Sequence, residues 1–193
     1  MHDEIRIIYY PDPRLRQVSK PVAQITPELR ELALRMLELM RQAKGVGLAA
    51  PQIGQNIRMF VTNPTGEPED NHVYINPVLS DPDGEETGEE GCLSLPEVHV
   101  QVSRNRAMRI QAQDLEGHAI DEVQSGFVAR VWQHEFDHLN GVLITDRMGL
   151  GDRLQHRKIL KDLETRYAQE HPAIKPRKAK SEIRSKSKRS KSR

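Results

Sequence analysis

The chain reads as one domain that mixes helices with strands, and three observations predict this. Its 193 residues suit a single packed core better than two. Apolar residues recur at helical spacing near the start and again toward the end. Between those stretches apolar and polar residues alternate, as they do in half-buried strands.

The first helix is announced by Thr26-Pro27-Glu28, which offers a capping hydroxyl, a first-turn proline and a first-turn acid. Leu29, Leu32, Ala33, Met36, Met40 and Ala43 follow on one face, and Gly45 marks the end. A glycine-rich loop comes next. Residues 57–62 and 73–79 read as short strands separated by a Pro/Gly/Glu/Asp loop at 63–71. Val98, Val100 and Val102 alternate with His99, Gln101 and Ser103, and Met108, Ile110 and Ala112 alternate with Arg109, Gln111 and Gln113. Asp114-Leu115-Glu116-Gly117 supplies a turn into a strand near 120–123, so a hairpin is predicted there. Ser125 or Gly126 opens a second helix over about 127–139, with Gly141 placed to stop it. A third helix is predicted over about 154–169.

Charge divides the chain into two parts. Of the 29 Lys and Arg, ten lie in residues 172–193, and of the 28 acids only Glu182 does. Residues 1–171 therefore hold 19 bases and 27 acids, a formal charge of −8, while the tail carries +9. We expect a folded domain over 1–171 and a basic, disordered tail over 172–193, because the tail has no apolar period. The start, Met1-His2-Asp3-Glu4, is charged where a signal peptide needs an apolar run, and no stretch approaches the ~20 apolar residues of a membrane span. A soluble cytoplasmic protein is expected. Cys92 has no second cysteine to pair with, and beside well-spaced histidines it reads as a ligand or nucleophile in a reducing compartment.

The sharpest motif is Gln133-His134-Glu135-Phe136-Asp137-His138. Histidines at i and i+4 on a helix stand one turn apart on the same face, so both rings can reach one metal ion. Glu135 follows the first of them, where a carboxylate can take a proton from a metal-activated water instead of occupying the metal. Phe127, Val131, His134 and His138 fall along one stripe, which predicts that the histidines face the core. The bland alternative is a pair of solvated histidines. A catalytic site needs a third ligand, and the soft donor available is Cys92 in Glu90-Gly91-Cys92-Leu93-Ser94. Taken alone, Cys92 could equally be a small buried hydrophobe. Residues 45–54 add a run of small residues holding one amide, Gln52, which can donate to a developing oxyanion; the alternative is a tight loop packed under a sheet. No Gly-Lys-Ser/Thr ending follows these glycines, so they do not form a phosphate loop.

Together, residues 45–52, 90–94 and 133–141 resemble the three signature motifs of the peptide deformylase family, in the family's order. Ile8-Tyr9-Tyr10-Pro11-Asp12-Pro13-Arg14-Leu15-Arg16 is also similar to the family's usual start, so the resemblance covers about residues 5–150. It implies an α+β fold in which antiparallel β-sheets wrap a central metal-binding helix, with one helix near each end of the chain. It implies removal of the N-formyl group from the initiator methionine of new polypeptides, with release of formate. Residue by residue, it implies that Cys92, His134 and His138 bind the metal and that Glu135 is general base and then general acid. Gln52 and the Leu93 backbone N–H would hold the carbonyl oxygen. Gly47 would pair with the substrate backbone, beside Val46, Phe127, Arg130 and Val131. An Arg130 that reached the rim of the methionine pocket would make that pocket more polar. The implied native metal is Fe2+, with Zn2+, Ni2+ or Co2+ as substitutes.

The resemblance also implies action on formyl-methionyl nascent peptides, and a monomer is expected; the tail's charge, with the family's use of C-terminal extensions, predicts docking on the ribosome, although this tail departs from the family's usual short helical extension and a solubilising tail is the simpler reading. Two other classes stay open. A zincin-type peptidase shares His-Glu-x-x-His but takes its third ligand downstream of the helix and has no use for Cys92 or Gln52. A non-enzymatic RNA-binding module would rely on the tail and gain nothing from Glu135.

Overall fold

The structure is a computed structural model that describes residues 5–172. Most of the predicted tail therefore lies outside the described residues. In chain order the elements are α1 (Pro27–Gln42), β1 (Gly47–Ala49), β2 (Met59–Thr62), β3 (His72–Cys92), β4 (Leu95–Gln113), β5 (Ala119–Ser125), α2 (Gly126–Leu139), α3 (Ile144–Arg147) and α4 (Leu150–Glu170). The five strands form one antiparallel sheet in the order β1-β2-β3-β4-β5. The class is α+β, as expected, with a single sheet in place of several.

Helix α1 begins as its sequence dictates. The Thr26 hydroxyl accepts the Leu29 N–H at 3.3 Å, and Ala33, Met36 and Met40 form the buried face. Strand β1 was expected to be loop, because Gly47, Leu48 and Ala49 carry no strand signal. It is a strand because its backbone pairs with β2, Leu48 opposite Val61, and all three residues are buried. The strands predicted at 73–79, 98–103 and 108–113 are portions of one long hairpin, β3 against β4. The register shifts between Ile75 and Val78 and again between Ser80 and Asp83. Such bulges bend and twist a strand, so one sheet reaches both flanks that separate sheets were expected to cover.

The hairpin closes on a two-residue turn, Leu93-Ser94, with Cys92 opposite Leu95. At the other end of the sheet, β5 leads directly into α2. Helix α2 stops at Gly141, which has φ +71° and leaves no room for a side chain, since a Cβ there would stand 2.5 Å from the Arg16 carbonyl oxygen.

Helix α2 is the element that the rest surrounds. One flank packs Trp132 and Leu139 against Phe60, Tyr74 and Ile110, with the Tyr74 and Trp132 rings edge-on at 5.7 Å. A second cluster joins α1 to β1 and β2 through Met36, Met40, Leu48 and Val61. A third sets Val98, Val100 and Val102 of β4 against Leu15, Leu143, Ile144 and Leu163. Trp132 is fully buried, and truncating such a side chain costs about 3–5 kcal/mol. Among the described residues no helix is long and apolar enough to cross a membrane.

Candidate metal centre and active site

The end of β3 and the middle of α2 meet at a cluster of three ligand atoms. The Cys92 sulfur and one ring nitrogen each from His134 and His138 lie within 4.8 Å of one another. Cys92 Sγ is 3.3 Å from His138 Nε2, and the two imidazoles stand 72° apart with centroids separated by 5.0 Å. Metal–sulfur and metal–nitrogen bonds of ~2.3 and ~2.0–2.1 Å in tetrahedral array put ligand atoms roughly 3.3–3.6 Å apart, a spacing that the Cys92–His138 pair has at 3.3 Å, and a thiolate with two imidazoles is a donor set that suits a first-row cation.

The surroundings prepare each ligand. His134 directs Nδ1 to Glu90 Oε2 at 3.0 Å, which leaves Nε2 for the cluster. Glu90 was not among the expected site residues, although a signal was present. It stands two positions before Cys92 on a strand, so the two side chains share a face. Its carboxylate is gripped by Arg104, whose Nε and a terminal nitrogen each approach to 2.9 Å, and by Arg130 at 2.9 Å. Burial pushes the Glu90 carboxyl up, but the hydrogen bonds from Arg104 and His134 outweigh it and hold the group well below the usual carboxylate range. Arg104 continues to Asp137 at 2.6 Å, and Asp137 in turn accepts from Arg147. This buried chain of charges fixes the helix carrying both histidines to β3, β4 and α3.

Burial, and then its neighbour His134, pushes the His138 imidazole well below its ordinary range, so it is neutral, the form that ligates. At His134 burial works against a charge, yet hydrogen bonds to Cys92 and Glu90 raise the ring overall. A proton and a cation are alternatives at that lone pair. Glu135 is 3% exposed, and one of its oxygens, Oε2, is buried without a hydrogen-bond partner. Burial lifts its carboxyl to about 7, against the pull of the His134 charge. A carboxyl near neutrality with a free oxygen is suited to passing a proton in both directions.

Gln52 closes the other side. Its Oε1 accepts the Ala49 N–H at 2.8 Å, which turns Nε2 toward Ser94 Oγ at 3.3 Å and Cys92 Sγ at 3.6 Å. Gly47 faces Glu135 so closely that a Cβ would stand 2.3 Å from Glu135 Oε1. A cavity of about 400 Å³ connects these groups, and Leu93, Val46, Val131, Phe127 and Arg130 also line it.

Phe127 lines this cavity while remaining 55% exposed. Arg130 does line the cavity, but its guanidinium is engaged by Glu90 and by the carbonyls of Val102 at 2.9 Å and Glu86 at 2.7 Å. The space for it comes from Gly88, whose Cβ would stand 3.1 Å from Arg130 Cζ.

The comparisons with known proteins agree with this geometry. Residues 5–153 match the polypeptide deformylase family model. A peptide deformylase of Rhodopirellula baltica is 46% identical over 147 residues, covering 75% of this chain and 73% of its own. One from Thermotoga petrophila is 45% identical over 159 residues, 82% of this chain and 95% of its own. The crystal structure of Arabidopsis thaliana peptide deformylase 1B with an inhibitor superposes with a TM-score of 0.84 at 35% identity, covering 90% of this chain and 97% of that one. A cysteine from a hairpin end, two histidines from a buried helix, and relatives that match across most of the chain lead to one conclusion: this chain belongs to the peptide deformylase family.

Proposed function

We propose that this peptide deformylase removes the N-formyl group from nascent polypeptides with Cys92, His134 and His138 holding a divalent cation and Glu135 moving the protons. The carrying observation is the meeting of those three ligand atoms within 4.8 Å beside a buried, unpartnered carboxylate oxygen. A bound cation supplies Lewis acidity to the formyl carbonyl and to the attacking water. Glu135 accepts the water's proton as its oxygen adds to the formyl carbon, then delivers that proton to the nitrogen as the C–N bond breaks. Formate and a free N-terminal amine result. Gln52 Nε2, supported by the Leu93 backbone N–H, donates to the carbonyl oxygen as negative charge builds there. Gly47 and Val46 lie along the substrate backbone, while Val131, Phe127 and the methylenes of Arg130 bound the methionine side chain.

One thiolate and two imidazoles suit Fe2+, Zn2+, Ni2+ or Co2+ without selecting among them, and it is the family resemblance that makes Fe2+ the native metal of this proposal. A zincin-type peptidase is disfavoured, because Cys92 reaches the two histidines and leaves a downstream ligand without a role. The same proposal takes the protein to work in the cytoplasm as a monomer. The test is formate release from formyl-Met-Ala-Ser by anaerobically purified protein, repeated with Glu135→Ala. Loss of release with metal retained supports the reading, and undiminished release would remove it. We further propose that the basic tail docks on ribosomal RNA, supported by its ten bases against one acid. Association that ignores salt, or survives truncation after His171, would remove that proposal.

A further inference from the structure

The site is assembled from three pieces distant in sequence: Gln52 after β1, Cys92 and Ser94 at the hairpin end, and the histidines of α2. Nothing in the reaction requires the segment before α1, yet that segment touches all three. The Ile8 N–H donates to the Gln52 carbonyl at 2.8 Å, and the Tyr10 N–H donates to the Ser94 carbonyl at 2.9 Å. Farther along, the Ser19 N–H donates to the Leu139 carbonyl at 2.8 Å, and an Arg16 guanidinium nitrogen reaches the Gly141 carbonyl at 3.3 Å. One continuous stretch, residues 8–20, thus binds the backbone of each motif-bearing piece.

Its own path is fixed independently. Ile8 and Leu15 are buried in the cluster that includes Leu95 and Val98, and the Tyr10 hydroxyl donates to Glu164 of α4 at 2.9 Å. Gln52 is consequently held at both ends, its carbonyl by Ile8 and its side-chain oxygen by Ala49. Its Nε2 donates toward Ser94 Oγ, while the Ser94 carbonyl is tied by Tyr10, two residues from Ile8. The segment sets the spacing between the amide and the sulfur loop.

We infer that residues 8–20 form a positioning strap for the reaction, in which the Ile8 and Tyr10 backbone N–H groups hold Gln52 in register with the Cys92–Ser94 turn. This rests on the proposed role of Gln52 as donor to the oxyanion. Displacement of a reacting group by ~1 Å can cost about a hundredfold in rate without unfolding the protein, so the strap's effect belongs in kcat.

The test is a double-mutant cycle between Ile8→Pro, which deletes the N–H, and Gln52→Ala, with kcat, KM and bound metal measured for each protein. Ile8→Pro is expected to lower kcat roughly ten- to a hundredfold at unchanged metal content and nearly unchanged KM. In the Gln52→Ala background it should lower kcat no further, because there is no amide left to misplace. Ile8→Val, which keeps the N–H, should retain wild-type kcat. If Ile8→Pro does not fold, Ile8→Ala, which frees the strap from the core, enters the same cycle with the same expected non-additivity. Equal losses in both backgrounds, together with a real effect of Gln52→Ala, would overturn the strap alone. An unchanged kcat in Gln52→Ala would overturn the oxyanion role of Gln52, and the strap's role with it.

Discussion

Replacing Gly47 by alanine probes the active site with a single methyl group. Gly47 lies in strand β1, where an alanine backbone is comfortable, so the change adds no conformational strain of its own. The methyl carbon would stand 2.3 Å from Glu135 Oε1, 2.8 Å from Cδ and 2.9 Å from Cγ. Ordinary contact needs about 3.4 Å or more, so the carboxylate has to retreat by roughly 1 Å. It has little room, being 3% exposed and backed by the helix that carries it. A misplacement of that size in the proton-transferring group is expected to lower kcat by about a hundredfold. The overpacking itself costs about 1–3 kcal/mol, which the folded protein should survive. The assay is formate release at saturating formyl-Met-Ala-Ser, normalised to bound metal, beside a thermal melt. A folded, metal-loaded Gly47→Ala protein with kcat within about twofold of wild type would refute the placement of Glu135 as the proton carrier.

Two further outcomes follow from groups behind the site. Glu90→Gln takes the carboxylate from Arg130 and leaves Arg104 with Asp137 alone, so it should destabilise the protein by up to about 3–5 kcal/mol and weaken metal binding about 10–100-fold. Chemical denaturation and a competitive metal titration measure these, and unchanged values in both would contradict the supporting role of Glu90. The second concerns acid stability. Burial raises the Asp12 carboxyl, but hydrogen bonds from the Arg14 side chain and backbone N–H outweigh it and lower the group overall. A depressed carboxylate contributes stability above its unfolded pKa of ~3.9, and that contribution is lost as pH falls through the folded value. Asp12→Asn should therefore cost stability at neutral pH and flatten the decline below about pH 4; parallel stability–pH curves for the two proteins would be the contrary result.

How much of this was legible from residues alone depends on whether a signal is local. Helix α1 was legible because Thr26, Pro27 and the apolar face from Leu29 to Met40 lie within a few turns of one another. The alternation of Val98, Val100 and Val102 gave part of β4 for the same reason. Most of β3 was not legible. Residues 80–90 are rich in Gly, Asp and Glu, are largely exposed, and are strand only because β4 lies alongside. The candidate metal ligands were legible as types and spacing, since two histidines one turn apart need no tertiary information. That Cys92 meets them was inferred from its chemistry, because the distance between β3 and α2 cannot be read from spacing. Glu90 and Arg104 escaped, as a charged pair on neighbouring strands looks like ordinary surface until both prove buried. Arg130 was placed at the cavity but not bound to Glu90, since that bond depends on the glycine at position 88.

The union of a hairpin sulfur with two helix imidazoles around one cation carries the whole account. X-ray absorption at the metal edge of anaerobically purified protein interrogates it directly. We expect a shell with one sulfur at about 2.3 Å and two imidazole nitrogens, with the sulfur lost in Cys92→Ala. A shell of nitrogen and oxygen alone in the wild-type protein would contradict it.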